Sequence, residues 1–298
     1  MKIRIPIGLK VLLTAILIVL LVKTFAFTSC SIPSTGMENT LYQGEKVLVN
    51  KWSYGWRIPF TASHLLAERA ERGDIVLFNN PVPADKEKPV FARSLFISRC
   101  VGVPGDTLML NSELIITDGR VHSPDSKQLY DYPYQQEDTL QYAMSLLGIE
   151  GNLLVGYAEG RHLRSFSHYE LYLLKQKLGA ALDIRPVHAN DTVDSHPLVI
   201  PGKGKAVKVY PWNVKLLCNT ILQHEDRRAS VKGDTLLVDG KPVDVYTFRK
   251  DYYWMASNNP VNLSDSRLFG LVPHDHLVGR AAYIWYSAHK ERIFQPVE

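Results

Sequence analysis

Three places in the chain gather residue types that could do chemistry. His274-Asp275-His276 sets two imidazoles around a carboxylate, the donor types of a transition-metal site. Such a site needs three or four ligands, and the context for a third is missing. The triplet reads as a solvated turn ahead of Leu277, and no metal is expected. Gly202-Lys203-Gly204-Lys205 has a faint likeness to a phosphate loop. It lacks the further glycine and the following helix that would cradle a phosphate, so it reads as a turn entering a strand. The third place is Ile32 to Gly55, IPSTGMENTLYQGEKVLVNKWSYG. Its first six residues combine proline, hydroxyls and glycine, which suits an extended segment or turn where backbone approaches something else. Lys46 to Asn50, KVLVN, follows as a short strand. Together they present a backbone edge beside a sheet, a common way to hold an extended peptide.

The elements that must position this stretch can be read along the chain. At 298 residues and 46% apolar content, the chain can bury a large core. Four of its 34 basic residues, Lys2, Arg4, Lys10 and Lys23, lie in the first 27 residues, which contain no acid, so the remaining 30 face 30 acids. The body is formally neutral, which removes the electrostatic reason to expect nucleic acid. Val11 to Val22 is an uncharged apolar run, and the apolar region extends from about Ile7 to Phe27 if Lys10 and Lys23 sit at the interfaces. The same run also fits a cleaved signal, with Phe27-Thr28-Ser29-Cys30 as a poor lipoprotein site. An uncleaved anchor is the expectation, and Lys2, Arg4 and Lys10 would keep its N-terminus in the cytoplasm. Cys30, Cys100 and Cys218 are too few and scattered for a disulfide framework.

In the body, Thr61 to Arg72 reads as an amphipathic helix stopped by Gly73. Asp74 to Phe78 and Leu95 to Asn111 read as strands, the latter split at Val103-Pro104-Gly105-Asp106. Between about residues 119 and 198 the pattern turns helical. Asp138 to Leu147 puts Leu140, Ala143, Met144 and Leu147 on one face, and Ser167-x-x-Glu170 is a capping box ahead of Leu171, Leu174 and Leu178. From Leu198 short β-branched and aromatic runs form a meander. Tyr252-Tyr253-Trp254 and Tyr283 to Tyr286 alternate at strand spacing and read as sheet core. Near a membrane exit such rings also suit lipid.

Three blocks carry a family resemblance. Pro33-Ser34-x-Gly36-Met37-x-x-Thr40-Leu41, then Gly44 and Val47-Leu48-Val49-Asn50-Lys51, resembles the nucleophile segment of bacterial type I signal peptidases, S26-family serine endopeptidases with a serine/lysine dyad. Arg99 with Gly102-x-Pro104-Gly105-Asp106 resembles the block that follows their lysine. Asp265-Ser266-Arg267, Phe269-Gly270, Val272-Pro273 and Val278-Gly279-Arg280-Ala281 match a third block. The resemblance places the nucleophile at Gly36 and the base at Ser98. The G-D-N-R that opens the third block is replaced by Ala256-Ser257-Asn258-Asn259.

A serine hydrolase needs a hydroxyl, a base that is neutral at working pH, and oxyanion donors. Gly36 has no side chain and Ser98 is no base, so neither dyad position is intact. Ser34 is the fallback hydroxyl. In a strand it would share a face with Gly36, about 7 Å away. The resemblance gives a serine at this place a part in holding the oxyanion. Lys46 and Lys51 lack the spacing of the family's base. What can persist is peptide binding, with Ile32, Pro33, Ser34, Met37, Phe96 and Arg99 as the binding positions and Asp265, Ser266 and Arg267 as scaffold. The resemblance implies a mostly β fold of coiled antiparallel sheets with a helical insertion (about 119–198) in a body of residues 29–298. An N-terminal transmembrane anchor would occupy residues 1–28. It implies signal peptides of exported pre-proteins, membrane lipid or another signal peptidase as partners, no cofactor, and an inner-membrane protein with its body on the periplasmic side. The two function classes are an active signal peptidase using a residue such as Ser34, and a dyad-deficient relative that binds peptide or a partner.

Overall fold

The computed structural model describes residues 6–58, 61–84, 87–111, 114, 116, 126–149, 152–187, 195–261 and 264–297. Asn262 and Leu263, and part of the loop from Asn79 to Lys88, lie outside them. The elements that matter for function are α1 (Ile7–Leu21), β1 (Phe27–Ser31), β2 (Lys46–Asn50), β3 (Ile75–Asn79), β4 (Leu95–Gly102), β5 (Lys127–Pro133), α2 (Glu137–Leu147), β6 (Arg161–Ser167), α3 (His168–Leu178), α4 (Val214–His224), β7 (Tyr252–Ala256), β8 (Val272–Pro273) and β9 (Leu277–Tyr286).

Helix α1 and the turn after it make an apolar span of 20 residues, Ile7–Ala26, none of it buried against the body. At about 1.5 Å per residue it is long enough to cross a hydrocarbon core. Its end is fastened to the body. Lys51 Nζ donates to the carbonyls of Thr24 (2.6 Å) and Lys23 (3.3 Å), and Phe27 packs edge-on to Trp52 at 5.1 Å.

The body is mostly antiparallel sheet, as expected. Its main sheet runs β1-β2-β9-β3-β4-β7-β8. Strand β3, IVLFN, is buried throughout, because the sheet is covered on both faces. Ile75 and Leu77 join Ile32, Met37, Val47, Val49 and Ile97 in one core. Val76 and Phe78 join Tyr54, Cys100, Tyr253 and Met255 in another. This is the period-2 alternation of a strand with two apolar faces.

Several expectations need correction. Thr61 to Arg72 is not a helix. His64–Leu65 pairs with Trp56–Arg57, and the chain then crosses directly over Gly55. A side chain at Gly55 would stand 2.8 Å from the Ala67 Cα. Burial of Ala70 and a left-handed Leu66 (φ 51°) set this path, so tertiary packing overrides helical propensity. The region after Leu198 is not all strand either. Helix α4 interrupts it and buries Val214, Leu217 and Ile221. The helices expected in the inserted region are present, and α3 carries the full Ser167/Glu170 capping box. They pack on a four-stranded sheet that includes β5 and β6, around a core of Tyr130, Tyr132, Leu140, Phe166 and Leu174. Its strands were hidden by buried charge such as Arg164, which pairs with Glu137. Gly202–Lys205 is the expected turn, with Lys205 N donating to Gly202 O and a strand at Ala206–Lys208. Tyr252, Tyr253 and Trp254 are core, whereas Tyr283, Trp285 and Tyr286 are exposed around the buried Ile284. Lys46 Nζ lies 5.5 Å and 5.3 Å from the Trp285 and Tyr286 rings. The three cysteines are free thiols.

Candidate functional site

Residues Ile32 to Thr40 follow edge strand β1, and hydrogen bonds to the core fix their path. Ile32 N donates to Glu45 O at 2.8 Å and Gly44 N returns a bond to Ile32 O at 3.0 Å. Ser34 then caps one 3-10 turn, Thr35–Met37, its Oγ accepting from Gly36 N at 3.5 Å. The expected strand geometry is therefore absent, and Ser34 lies beside the Gly36 amide instead of a strand step away. Gly36 O accepts from Asn259 N at 2.9 Å, and Gly36 and Met37 are buried.

This segment forms one wall of a cavity of about 310 Å³, lined by Ser29 to Ser34, Gly36, Met37, Leu95 to Ile97, Ser257 and Ser264. Strands β1 and β4 stand four places apart in the sheet order, so the coil of the sheet brings their edges to one cavity. Among the described residues both edges are open there. Strand β1 pairs on one side only, with β2. Leu95 to Ile97 pair with β3 (Ile97↔Leu77), while pairing with β7 begins at Ala256↔Arg99. Two open strand edges across an apolar slot can each accept an extended peptide, by β-augmentation. Ile32, Pro33, Ser34, Met37 and Phe96 all line the slot. Arg99 does not. It is buried, with its guanidinium donating to Gly73 O at 3.0 Å and Thr40 Oγ1 at 2.8 Å.

The lining contains no lysine, arginine, histidine, aspartate or glutamate among the described residues. Its only titratable side chain is Cys30, whose thiol is pushed up by burial. Ser98 sits outside the lining, fully buried, and its Oγ donates to Ser264 O at 3.0 Å. The base position thus holds a buried hydroxyl with a hydrogen-bond partner.

Behind Gly36 lies a charged cluster that sequence reasoning missed. Lys127 at the start of β5 is fully buried, 3.1 Å from Glu38 Oε2 and 3.5 Å from Glu170 Oε1. Asn259 Nδ2 donates to the same Glu38 oxygen at 2.9 Å. Asn258 Nδ2 reaches Thr40 Oγ1 (2.8 Å) and Glu38 O (3.1 Å), while Asn258 O accepts from Lys127 N (2.7 Å). Burial raises the Glu38 carboxyl above its ordinary value, with the Lys127 charge opposing the rise. The two asparagines therefore join the Gly36 segment to the insertion. Their departure from G-D-N-R was visible, but Lys127, which bonds Asn258 O and Glu38, and Glu170, which pairs with Lys127, lie in a region without matched motifs.

Asp265 is fully buried and accepts from Ser257 N at 2.7 Å and Arg267 N at 3.0 Å, besides pairing with the Arg267 guanidinium. Met255 N donates to Ser266 Oγ at 2.8 Å. These bonds hold Ser257 and Ser264 at the cavity wall. His274-Asp275-His276, by contrast, is not a solvated turn. His276 is buried, its Nδ1 2.7 Å from Asp275 Oδ1 and its Nε2 3.1 Å from Arg93 Nη1. Among the described residues no group of three or more potential ligands is placed to hold a metal.

The profile of the family described as "Signal peptidase, peptidase S26" matches residues 7–176 and 204–286. The chain belongs to that family. The match takes in the apolar helix, both cavity walls and the Asp265–Arg267 block, and it leaves out residues 177–203, at the end of the inserted region. The chain is 25% identical over 285 residues to the signal peptidase I of Buchnera aphidicola subsp. Schizaphis graminum, covering 95% of this chain and 76% of that protein. It is 24% identical over 302 residues to the signal peptidase I of Haemophilus influenzae, covering 95% and 70%. Against the signal peptidase I of Helicobacter pylori strain J99 it is 23% identical over 286 residues, covering 91% and 79%.

Proposed function

We propose that this signal peptidase family member holds signal peptides of exported pre-proteins in the β1/β4 slot without cutting them. One observation carries the reading. Two open strand edges flank an apolar, hydroxyl-bearing cavity that contains no base among the described residues. A hydroxyl that is not deprotonated is a poor nucleophile, and loss of nucleophile or base from a coupled hydrolytic site costs on the order of a millionfold in rate. Ser34 Oγ and Gly36 N stand together where they can meet a peptide carbonyl, so that part of the family's binding apparatus has its counterpart here. Ile32, Pro33, Met37 and Phe96 would take small apolar side chains, and β4 near Arg99 would supply backbone.

Residues 1–28 would anchor the protein in the inner membrane, with the body, residues 29–298, on the periplasmic side. The supporting feature is the positive charge of Lys2 and Arg4 ahead of the span and of Lys10 in its first turn. Membrane lipid and an active signal peptidase are the further partners this position favours.

The test is to incubate the purified full chain in detergent with a pre-protein, a signal-sequence peptide and an acylating serine inhibitor. Saturable peptide binding without turnover or acylation is expected. Cleavage abolished by Ser34→Ala would overturn the non-catalytic reading. Absence of any shift at millimolar peptide would overturn the binding reading.

A further inference from the structure

The slot's backbone donor, the Gly36 N–H, belongs to the residue type least able to fix its own backbone. Without a Cβ, glycine is held in one conformation only by what surrounds it. Inside the slot that N–H meets Ser34 Oγ at 3.5 Å, a bond too long to pin it. The restraint comes from the opposite side. Gly36 O accepts from Asn259 N at 2.9 Å, and Asn258 Nδ2 reaches Glu38 O at 3.1 Å and Met37 O at 3.5 Å. Three successive carbonyls of the turn are therefore held by two neighbouring residues. The same network touches the other wall of the slot, because Thr40 Oγ1 accepts from Asn258 Nδ2 and from Arg99 Nη2 of β4, both at 2.8 Å.

Charge holds the asparagines in turn. Asn259 Nδ2 donates to Glu38 Oε2 at 2.9 Å, Asn259 Oδ1 accepts from Val261 N at 3.1 Å, and the same Glu38 oxygen lies 3.1 Å from Lys127 Nζ. Lys127 is tied down at its backbone as well, its N donating to Asn258 O at 2.7 Å, and Glu170 of α3 stands 3.5 Å from its ammonium. Glu38, Asn258, Asn259 and Lys127 are all buried, in surroundings of low dielectric where such bonds are strong. We infer that Glu38, Asn259 and Lys127 are positioning residues for peptide binding, which hold the turn so that the Gly36 N–H stands beside Ser34 in the slot wall. None of the three lines the slot, and they act on the peptide only through the turn. The inserted region, which supplies Lys127 and Glu170, is thereby a working part of the site. The inference rests on the reading of the slot as a peptide site.

The carboxylate and the amide of this pair can be exchanged without change of shape. N259D sets a second carboxylate against Glu38, and E38Q removes the carboxylate that faces Lys127. E38Q/N259D restores one carboxylate, one amide and the bond between them. The full chain and these variants are compared in detergent by hydrogen exchange and by binding of a signal-sequence peptide. The amides to follow are those of Glu38 and Leu41, which close the turn on Thr35 O and Met37 O. Their exchange rate and the peptide Kd are each expected to rise about tenfold in N259D, the factor of one buried charge-assisted hydrogen bond, and to return towards wild type in the double variant. Exchange of β3, in the core, is expected to stay unchanged throughout, which separates positioning from general destabilisation. Turn exchange or peptide affinity equal to wild type in N259D, a rise matched in β3, or a double variant no better than N259D overturns the inference. Peptide binding by the wild type is read separately. Its absence would overturn the binding reading, and the exchange comparison still decides whether this pair holds the turn.

Discussion

Replacing Lys127 with methionine keeps most of its volume and removes the one cation between Glu38 and Glu170. Both carboxylates are almost fully buried, 1% and 7% exposed. Asn259 would still donate to Glu38, and Ser167 N to Glu170 at 2.7 Å, but no positive charge would remain within bonding distance of either among the described residues. Breaking a buried pair from one side costs about 3–5 kcal/mol. For a body of this size that is a fall in Tm of about 10 °C at neutral pH. The deficit also depends on pH. Burial already holds the Glu38 carboxyl above its ordinary value, and removing Lys127 raises it further. A carboxyl raised in the folded state costs stability as pH climbs from its unfolded value through its folded one, so the loss shrinks on acidification. Thermal unfolding of Lys127→Met and of the wild type at pH 7.5 and pH 5.5, with K127M/E38Q as the third protein, measures this. The double variant is expected to recover part of the loss. A deficit under about 1 kcal/mol, or one equal at both pH values, would refute the assignment of Lys127 as the counter-ion that secures the Gly36 segment.

Two further outcomes follow from groups whose surroundings are fully described. Asp265→Ala strands the Arg267 guanidinium and frees Ser257 N. It is expected to cost roughly 3 kcal/mol in chemical denaturation and to weaken peptide binding, and a variant with wild-type stability would remove Asp265 from the scaffold. Burial, with the charges of His276 and Lys250 added, depresses His224 to about 3. It therefore costs nothing above pH 6.5 and destabilises the fold as pH falls below that, by roughly 3 kcal/mol at pH 4. His224→Gln should flatten that part of the stability profile, and an unchanged acid limb would count against it.

Much of the slot's lining was legible in the sequence because its parts are local. Pro33 to Met37 sits in one stretch with β2, and the open edge of β4 precedes the conspicuous Gly102-x-Pro104-Gly105-Asp106 turn. Ser34 was misplaced by a strand assumption, since one 3-10 turn, which its own hydroxyl caps, brings it against the Gly36 amide. Arg99 was placed among the binding positions for the backbone of its strand, and its side chain turns inside to Gly73 and Thr40. The His274-Asp275-His276 triplet was read as solvated. Its burial depends on Arg93, Lys250 and α4, none of them near it in sequence.

By itself the sequence determined the apolar N-terminal segment, the family and the mostly antiparallel body, and it put Gly36 and Ser98 where the resemblance expects the dyad, because each is written in residue type over a few consecutive positions. Only the tertiary structure decided that among the described residues no base lines the slot, that the Ser98 hydroxyl bonds Ser264 O, and that Lys127 of the insertion, itself paired with Glu170, joins Asn259 on Glu38 behind Gly36. These depend on the coil of a seven-stranded sheet and on where the inserted sheet docks. Contacts between elements far apart in the chain are set by packing of whole faces, and no short run of residues carries that information.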